Sequence, residues 1–142
     1  MLEQVHEHIT NELQQGARTD TVFVITAIVF NLLVLGINSA VAAAAADSYR
    51  GDASIANDLV MGILIALVIL VNAIAIIGLL TGRQTRNKLL RGLLAMYRDN
   101  EVDQYYDTTL LTNYNRRYLL FTGIILCLAL TAIVVPVIVR FL

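Results

Sequence analysis

Hydrophobic residues in this chain are concentrated in three long runs, which are separated by segments with polar and charged side chains. The runs cover residues 21–46, 55–81 and 118–139, and none of them contains Lys or Arg. The only acidic residue within them, Asp58, lies near an end. Each run is longer than the ~20 residues that a helix needs to cross a hydrocarbon core of ~30 Å. The pattern therefore predicts three transmembrane helices, TM1 (21–46), TM2 (55–81) and TM3 (118–139).

Two segments outside the runs have the spacing of amphipathic helices. Residues 1–18 have a narrow apolar stripe and largely acidic or polar other faces, and we expect Gly16 to end or hinge this helix. Thr19 and Asp20 can then cap TM1. Residues 83–100 follow TM2 without a strong helix breaker and have basic residues opposite an apolar face. The apolar stripe of residues 1–18 consists of Leu2, Val5, Ile9, Leu13 and Ala17. The apolar face of residues 83–100 consists of Leu89, Leu90, Leu93, Leu94, Met96 and Tyr97.

The predicted fold is all-α, with three transmembrane helices plus an N-terminal and a cytoplasmic amphipathic helix in one membrane domain. The chain has 142 residues. None of its polar segments is long enough to build a core of its own, since soluble domains below ~40 residues usually need metals, disulfides or partners. Because the N-terminal helix is acidic and the 83–98 helix is basic, we expect these two helices to pack together, within a chain or between neighbours.

Basic residues are distributed unevenly between the two loops. The 82–117 loop carries seven Lys or Arg residues, whereas the 47–54 loop carries only Arg50. Cytoplasmic loops of membrane proteins are enriched in Lys and Arg. We therefore expect an integral protein of a cell or inner membrane, with the N-terminus in the cytoplasm and the C-terminus outside. The predicted cytoplasmic basic face consists of Arg83, Arg86, Lys88, Arg91 and Arg98.

Three asparagines are the most informative polar residues within the runs. Asn31 and Asn38 are seven residues apart, which places them on one helix face. With the inner membrane edge placed at residues 21 and 82, Asn31 and Asn72 both lie ten residues into the membrane, at a depth of ~15 Å, where the two amides can bond each other. Cys127 has a similar depth in TM3. A lipid-exposed amide is costly, so we expect Asn31, Asn38 and Asn72 to form interhelical polar contacts or to line a pore.

Asp58 and several small residues have predicted roles at helix ends and contacts. Asp58 lies close to the start of TM2, where a carboxylate can cap the helix and favours its dipole; in a ring of chains it would instead form an outer mouth that favours cations. Small residues permit close helix packing. They occur in the alanine-rich end of TM1 and in the pairs Gly62 with Ala66 and Gly78 with Gly82.

The sequence lacks the patterns of common catalytic and metal sites. His6 and His8 are two residues apart, which on a helix points them in different directions. The acidic stretch from Asp99 has Gln104 and Leu110 at positions where a calcium loop requires Gly and Glu. The chain contains no HExxH, CxxC or phosphate-binding glycine loop. We therefore expect a protein that is not an enzyme and has no cofactor or bound metal.

The predicted function is a homo-oligomeric membrane assembly that forms a pore or channel. Three spans per chain leave little room for an internal pathway, and closed cyclic symmetry is the usual arrangement of identical subunits. The alternative is an accessory or scaffold subunit of a larger membrane complex. The expected partners are the lipid bilayer, other copies of the chain and, in the alternative, that complex; we expect no nucleic acid.

Overall fold

The computed structural model describes residues 2–47, 52–102, 104 and 109–141. These residues form three long helices, α1 (Leu2–Asp47), α2 (Asp52–Asp99) and α3 (Thr109–Phe141). Each helix contains a segment that is long and apolar enough to cross a membrane. Every helix contacts the other two, so they form a bundle. The predicted all-α fold with three candidate membrane spans is confirmed.

Two of the helices are much longer than a membrane crossing. α1 has 46 residues and α2 has 48, and at a rise of ~1.5 Å per residue each extends roughly 70 Å. Both continue beyond the apolar runs at the end of the bundle where α1 begins, α2 ends and α3 begins. We call this the proximal end, and the opposite end the distal end.

The N-terminal amphipathic segment is part of α1 and not an additional helix. α1 continues through Gly16, Thr19 and Asp20 without interruption, so the predicted helix end at Gly16 and the cap of TM1 are wrong. A glycine inside a helix costs only ~1 kcal/mol relative to alanine, and packing of an amphipathic face readily compensates for that cost. The basic segment is likewise continuous with TM2 in α2. The structure therefore does not support separate peripheral helices.

The core faces of the three helices follow a seven-residue repeat. In α1 the buried positions alternate in steps of four and three residues from Asp20 to Asn38. This spacing is typical of left-handed helix packing, in which such positions face the partner helices. The repeat consists of Asp20, Val24, Ala27, Asn31, Val34 and Asn38 in α1; Val68, Asn72, Ala75, Leu79 and Arg86 in α2; and Tyr118, Ile125 and Ala132 in α3.

Apolar layers above and below the middle of the bundle complete the core. The proximal layer includes Val24, Leu79 and Ile125, and the distal layer is formed by Val34, Val68 and Ala132. The alanine-rich end of α1 also lies at a helix contact, because Ala42 and Ala45 are buried. Large apolar side chains cover the outside of the spans, as a lipid environment requires, among them Val22, Leu33, Ile63, Leu70 and Leu130.

A backbone motif ends α2. Glu101 has a positive φ of 58°, and its N–H donates to the carbonyl of Arg98 at 3.1 Å, while the N–H of Val102 donates to that of Tyr97 at 3.0 Å. These two bonds are those of a Schellman motif, which satisfies the last carbonyls of a helix. The chain therefore leaves α2 directly after the segment that packs against the start of α1.

Candidate functional site

Polar side chains occupy three levels along the bundle, with apolar layers between them. The levels join residues from different helices and are separated by several turns. They consist of Asp20, Arg86 and Tyr118 at the proximal end, Asn31 and Asn72 in the middle, and Asp58 and Arg140 at the distal end.

The middle level is a reciprocal pair of amides. Asn31 Nδ2 donates to Asn72 Oδ1 and Asn72 Nδ2 donates to Asn31 Oδ1, both at 2.8 Å. Each Nδ2 also donates to a carbonyl four residues earlier in its own helix, that of Ala27 at 2.8 Å and that of Val68 at 2.7 Å. Asn31 is 1% exposed and Asn72 is 4% exposed. The structure therefore brings these two predicted residues together in the interior of the bundle, with every amide N–H engaged.

Asn38 does not join this pair. It is fully buried in the same face of α1 as Asn31, two turns closer to the distal end. Neither its Oδ1 nor its Nδ2 has a hydrogen-bond partner among the described residues. Among these residues Asn38 therefore does not form the predicted interhelical polar contact.

The proximal level is a buried ion pair with a tyrosine. Tyr118 Oη donates a hydrogen bond to Asp20 Oδ2, and Arg86 Nη2 lies 3.4 Å from the same oxygen. Asp20 is 6% exposed, Arg86 7% and Tyr118 5%. The Arg86 guanidinium also lies 5.3 Å from the ring centre of Tyr114 and 5.5 Å from that of Tyr118, which is within the range of cation–π attraction. One residue from each helix thus meets at this level.

Two glycines on α2 allow α1 to approach this level closely. A Cβ added at Gly82 would lie 2.6 Å from Asp20 Oδ1, and one at Gly78 would lie 3.1 Å from the ring of Phe23. The predicted small-residue pair of Gly78 and Gly82 is therefore a contact within the chain, whereas Gly62 and Ala66 are exposed. A cavity of about 480 Å³ opens between α1 and α2 beside Asp20 and Arg86, and three threonines also line it: Thr19, Thr81 and Thr85.

The sequence interpretation missed this proximal level and misplaced Arg86. Arg86 is buried between the helices and does not belong to the exposed basic face, because it continues the seven-residue repeat of Asn72 and Leu79. The same repeat places Asp20 eleven residues before Asn31 on the core face of α1. The seven-residue repeat, extended beyond the apolar runs, predicts that both residues are buried.

The other residues of the predicted basic face remain at or near the surface. Lys88, Arg91 and Arg98 are exposed on α2. Arg83 is half-buried, and its Nε donates to Asn115 Oδ1 of α3 at 2.9 Å.

Asp58 belongs to an ion pair and not to a helix cap. Arg140 Nε donates to its Oδ1 at 2.6 Å and Arg140 Nη2 to its Oδ2 at 2.9 Å. The capping prediction is wrong because α2 begins six residues earlier, at Asp52. This bidentate pair links the start of α2 to the end of α3 at the distal end of the bundle.

The start of α1 packs against the end of α2, as the sequence predicts, but through different side chains. His6 Nε2 and Tyr97 Oη are joined by a hydrogen bond of 2.9 Å, with their ring centres 5.8 Å apart. Half-buried Ile9, Leu13 and Ala17 keep the predicted stripe, whereas Val5 is exposed and His6 takes its place. The two ion pairs of the described residues involve neither the exposed acids of α1 nor the exposed bases of α2.

The three polar levels join side chains from different helices and so hold the bundle together. Within the described part of the chain, no group of three or more His, Cys, Asp or Glu side chains could hold a metal ion. Cys127 is exposed on the outside of α3. Comparisons of the chain with protein-family models, with curated proteins and with solved structures gave no match.

Proposed function

We propose that the protein is a non-enzymatic integral membrane protein that works as a homo-oligomeric assembly. The observation that carries this proposal is the contrast between its small-residue pairs. Gly78 and Gly82 are covered by α1, whereas a Cβ at Gly62 would meet no other atom within 4 Å. Gly62 and Ala66 are exposed on one face of α2, in the spacing that lets membrane helices approach closely. That face supports contact with a helix from another chain.

A second exposed pair supports the same proposal. Gly36 and Ala40 of α1 are exposed at the same four-residue spacing, and a Cβ at Gly36 would also meet open space. Both pairs lie towards the distal halves of their spans. Copies that join through these faces would pack backbone against backbone, which is the main source of attraction between helices in lipid.

An assembly that conducts ions would have its conduction path between copies of the chain. Asn31 and Asn72 are engaged with each other inside a single bundle, and this disfavours them as the lining of a path between bundles. The charged pair of Asp58 and Arg140 lies closer to the surface at the distal end. A ring of these pairs would present both signs of charge to a passing ion, so Asp58 alone would not set a preference for cations.

The orientation that we propose places the proximal end in the cytoplasm. The exposed bases Lys88, Arg91 and Arg98 lie on this end, and Lys and Arg are enriched on the cytoplasmic side of membrane proteins. The N-terminus is then cytoplasmic and the C-terminus outside.

An accessory or scaffold subunit of a larger membrane complex is the second candidate. The observation that favours it is the proximal extension of α1 and α2, which continues for eighteen residues of α2 beyond residue 81, or ~27 Å. Exposed acids of α1 and exposed bases of α2 cover this extension, among them Glu3, Glu7, Lys88 and Arg91. Such a surface is suited to a partner protein outside the membrane.

The mass of the detergent-solubilised particle separates the two candidates. We expect a defined multiple of the 15.6 kDa chain by light scattering, and we expect Gly62→Leu to reduce it because the larger side chain keeps helices apart. Gly92→Leu is the matched control, since Gly92 is also an exposed glycine of α2 with open space around it but lies outside the span. A monomeric wild-type chain would overturn the homo-oligomer and favour the accessory subunit.

Ion flux from liposomes tests conduction separately. If the wild-type assembly conducts, Asn72→Leu should leave the permeability ratio between ions unchanged, because the Asn72 amide faces the interior of its own bundle. A changed ratio would assign Asn72 to the path.

A further inference from the structure

A groove between α2 and α3 has the shape and chemistry of a lipid site. Its volume is about 600 Å³, and it runs along α3 from Tyr118 to Cys127, a length of ~13 Å. Most of it lies within the apolar runs, and a Cβ at Gly123 in its wall would meet no atom within 4 Å. The apolar part of the wall is formed by Leu79, Leu80, Leu120, Gly123, Ile124 and Leu126.

Arg83 lies at the proximal mouth of this groove, and helical spacing places Arg116 on the same side of α3 as the groove. Arg83 lines it and is held by the bond from its Nε to Asn115, and its guanidinium forms no ion pair with a described residue. Arg116 is exposed and lies four residues before Leu120 and seven before Gly123, on the same face of α3. No Asp or Glu lines the groove among the described residues. One end of the groove is therefore cationic and the remainder is apolar.

We propose that this groove binds an anionic phospholipid, with its phosphate at Arg83 and Arg116 and one acyl chain along α3. Arginine binds phosphate oxygens through a planar fork of donors, and basic pockets between membrane helices bind anionic headgroups. The apolar wall favours an acyl chain, since burial of each CH₂ group contributes about 0.8 kcal/mol. A free phosphate would use only the mouth, so the whole groove fits a lipid. This site is independent of the assembly proposed above.

Native mass spectrometry of the full chain in detergent tests the proposal. The probes are phosphatidylglycerol and phosphatidylcholine with identical acyl chains. We expect phosphatidylglycerol to bind at a concentration at least about fivefold lower, and the double variant Arg83→Gln, Arg116→Gln to abolish this preference. The double variant Arg91→Gln, Arg98→Gln loses the same charge from the exposed surface of α2 outside the groove, and it should keep the preference.

Gly123→Leu tests the acyl-chain part with both arginines intact. The added side chain occupies open space in the groove, so it should weaken the binding of both lipids without unfolding the chain. Gly92→Leu should not weaken it, because Gly92 lies outside the groove.

Four results would overturn the proposal. The first is that the two lipids bind equally, and the second is that both double variants lose the preference equally. The third is that millimolar inorganic phosphate displaces the lipid. The fourth is that the chain forms an oligomer that contains no bound lipid and that Gly123→Leu dissociates this oligomer. The last result would assign the groove to a second copy of the chain. Retained lipid preference in a monomeric wild-type chain would support this site while overturning the homo-oligomer.

Discussion

The buried side chains of Asn31 and Asn72 show how a membrane bundle can contain polar residues at little cost in free energy. The amides of Asn31 and Asn72 satisfy each other and two backbone carbonyls. Asn31→Leu would leave the amide of Asn72 without this partner in an apolar interior. We expect either single substitution to destabilise the chain by about 1–3 kcal/mol. The double substitution to leucine leaves no unpaired amide, so its cost should be well below the sum of the two single costs.

Unfolding by SDS in mixed micelles measures these differences in free energy. Asn113→Leu is the control, since Asn113 is exposed on α3, and it should change the free energy of unfolding little. Additive costs for Asn31→Leu and Asn72→Leu would show that the two amides do not act as a pair.

A glycine substitution tests the proximal level of the bundle. In Gly82→Ala the new Cβ would lie 2.6 Å from Asp20 Oδ1, so the carboxylate that Tyr118 and Arg86 contact must move. Overpacking of this kind costs about 1–3 kcal/mol. Gly92→Ala is the matched control, because it adds a methyl group in open space on the same helix and should be neutral or stabilising by up to ~1 kcal/mol. Equal effects of the two variants on the unfolding midpoint would contradict this contact.

At the scale of the helices, the apolar runs predict the three spans but not where the helices begin. The length of a run and its lack of charge indicate which residues can lie in the hydrocarbon core, and the structure has a helix through each of the three runs. A helix boundary depends instead on tertiary packing beyond the run. Gly16 does not end α1 because the segments on both sides of it pack against α2, with His6 bonded to Tyr97 on one side and Asp20 paired with Arg86 on the other.

The continuity of α1 gives a distance that can be measured. Spin labels at Gln4 and Val22, both exposed, are eighteen residues apart, which is five turns or ~27 Å along a straight helix. Labels at Val22 and Ala40 have the same separation wholly within the span and are also exposed. With Cys127 replaced by serine, we expect the two pairs to give similar mean distances by pulsed electron paramagnetic resonance. A clearly shorter, broader distribution for the Gln4 pair would show a hinge at Gly16.

The partners of the site residues were less predictable than their faces. Helical spacing and equal depth pointed to a contact between Asn31 and Asn72, and the structure has this contact. Tyr118 and Asp20 are 98 positions apart, and Arg140 and Asp58 are 82 apart. A local pattern shows which face of a helix is buried, but the residue it meets depends on how three helices are aligned along their axes. Arg86 differs, because its buried face follows from extending the seven-residue repeat of Asn72 and Leu79 beyond TM2.

At the scale of the whole molecule, we expect the polar levels to determine how the three helices are aligned along their axes. Apolar side chains in a seven-residue repeat can also pack after a shift along the axis, since Val, Leu and Ala are similar in chemistry. Such a shift would separate Asn31 from Asn72, Asp20 from Arg86 and Asp58 from Arg140 together. Buried polar pairs are well attested as determinants of register in helix bundles. The pairs Asn31 with Asn72 and Asp20 with Arg86 are buried in this way, and we therefore expect them to favour the one alignment that places the α2–α3 groove and the exposed small-residue faces.

The uneven distribution of basic residues predicts how this single bundle is oriented in the membrane. Eight of the ten Lys and Arg residues lie in the N-terminal segment or between residues 82 and 117, and the other two lie between TM1 and TM2 or after TM3 in the sequence. Because a bundle with an odd number of spans has its termini on opposite sides, this imbalance predicts a cytoplasmic N-terminus. Cysteines introduced at Asp47 and at Arg98, both exposed, report the two ends in a Cys127→Ser background. In intact cells a membrane-impermeant maleimide should label the cysteine at position 47, and the one at position 98 only after permeabilisation. The reverse pattern would place the basic surface and the mouth of the lipid groove on the outer side of the membrane.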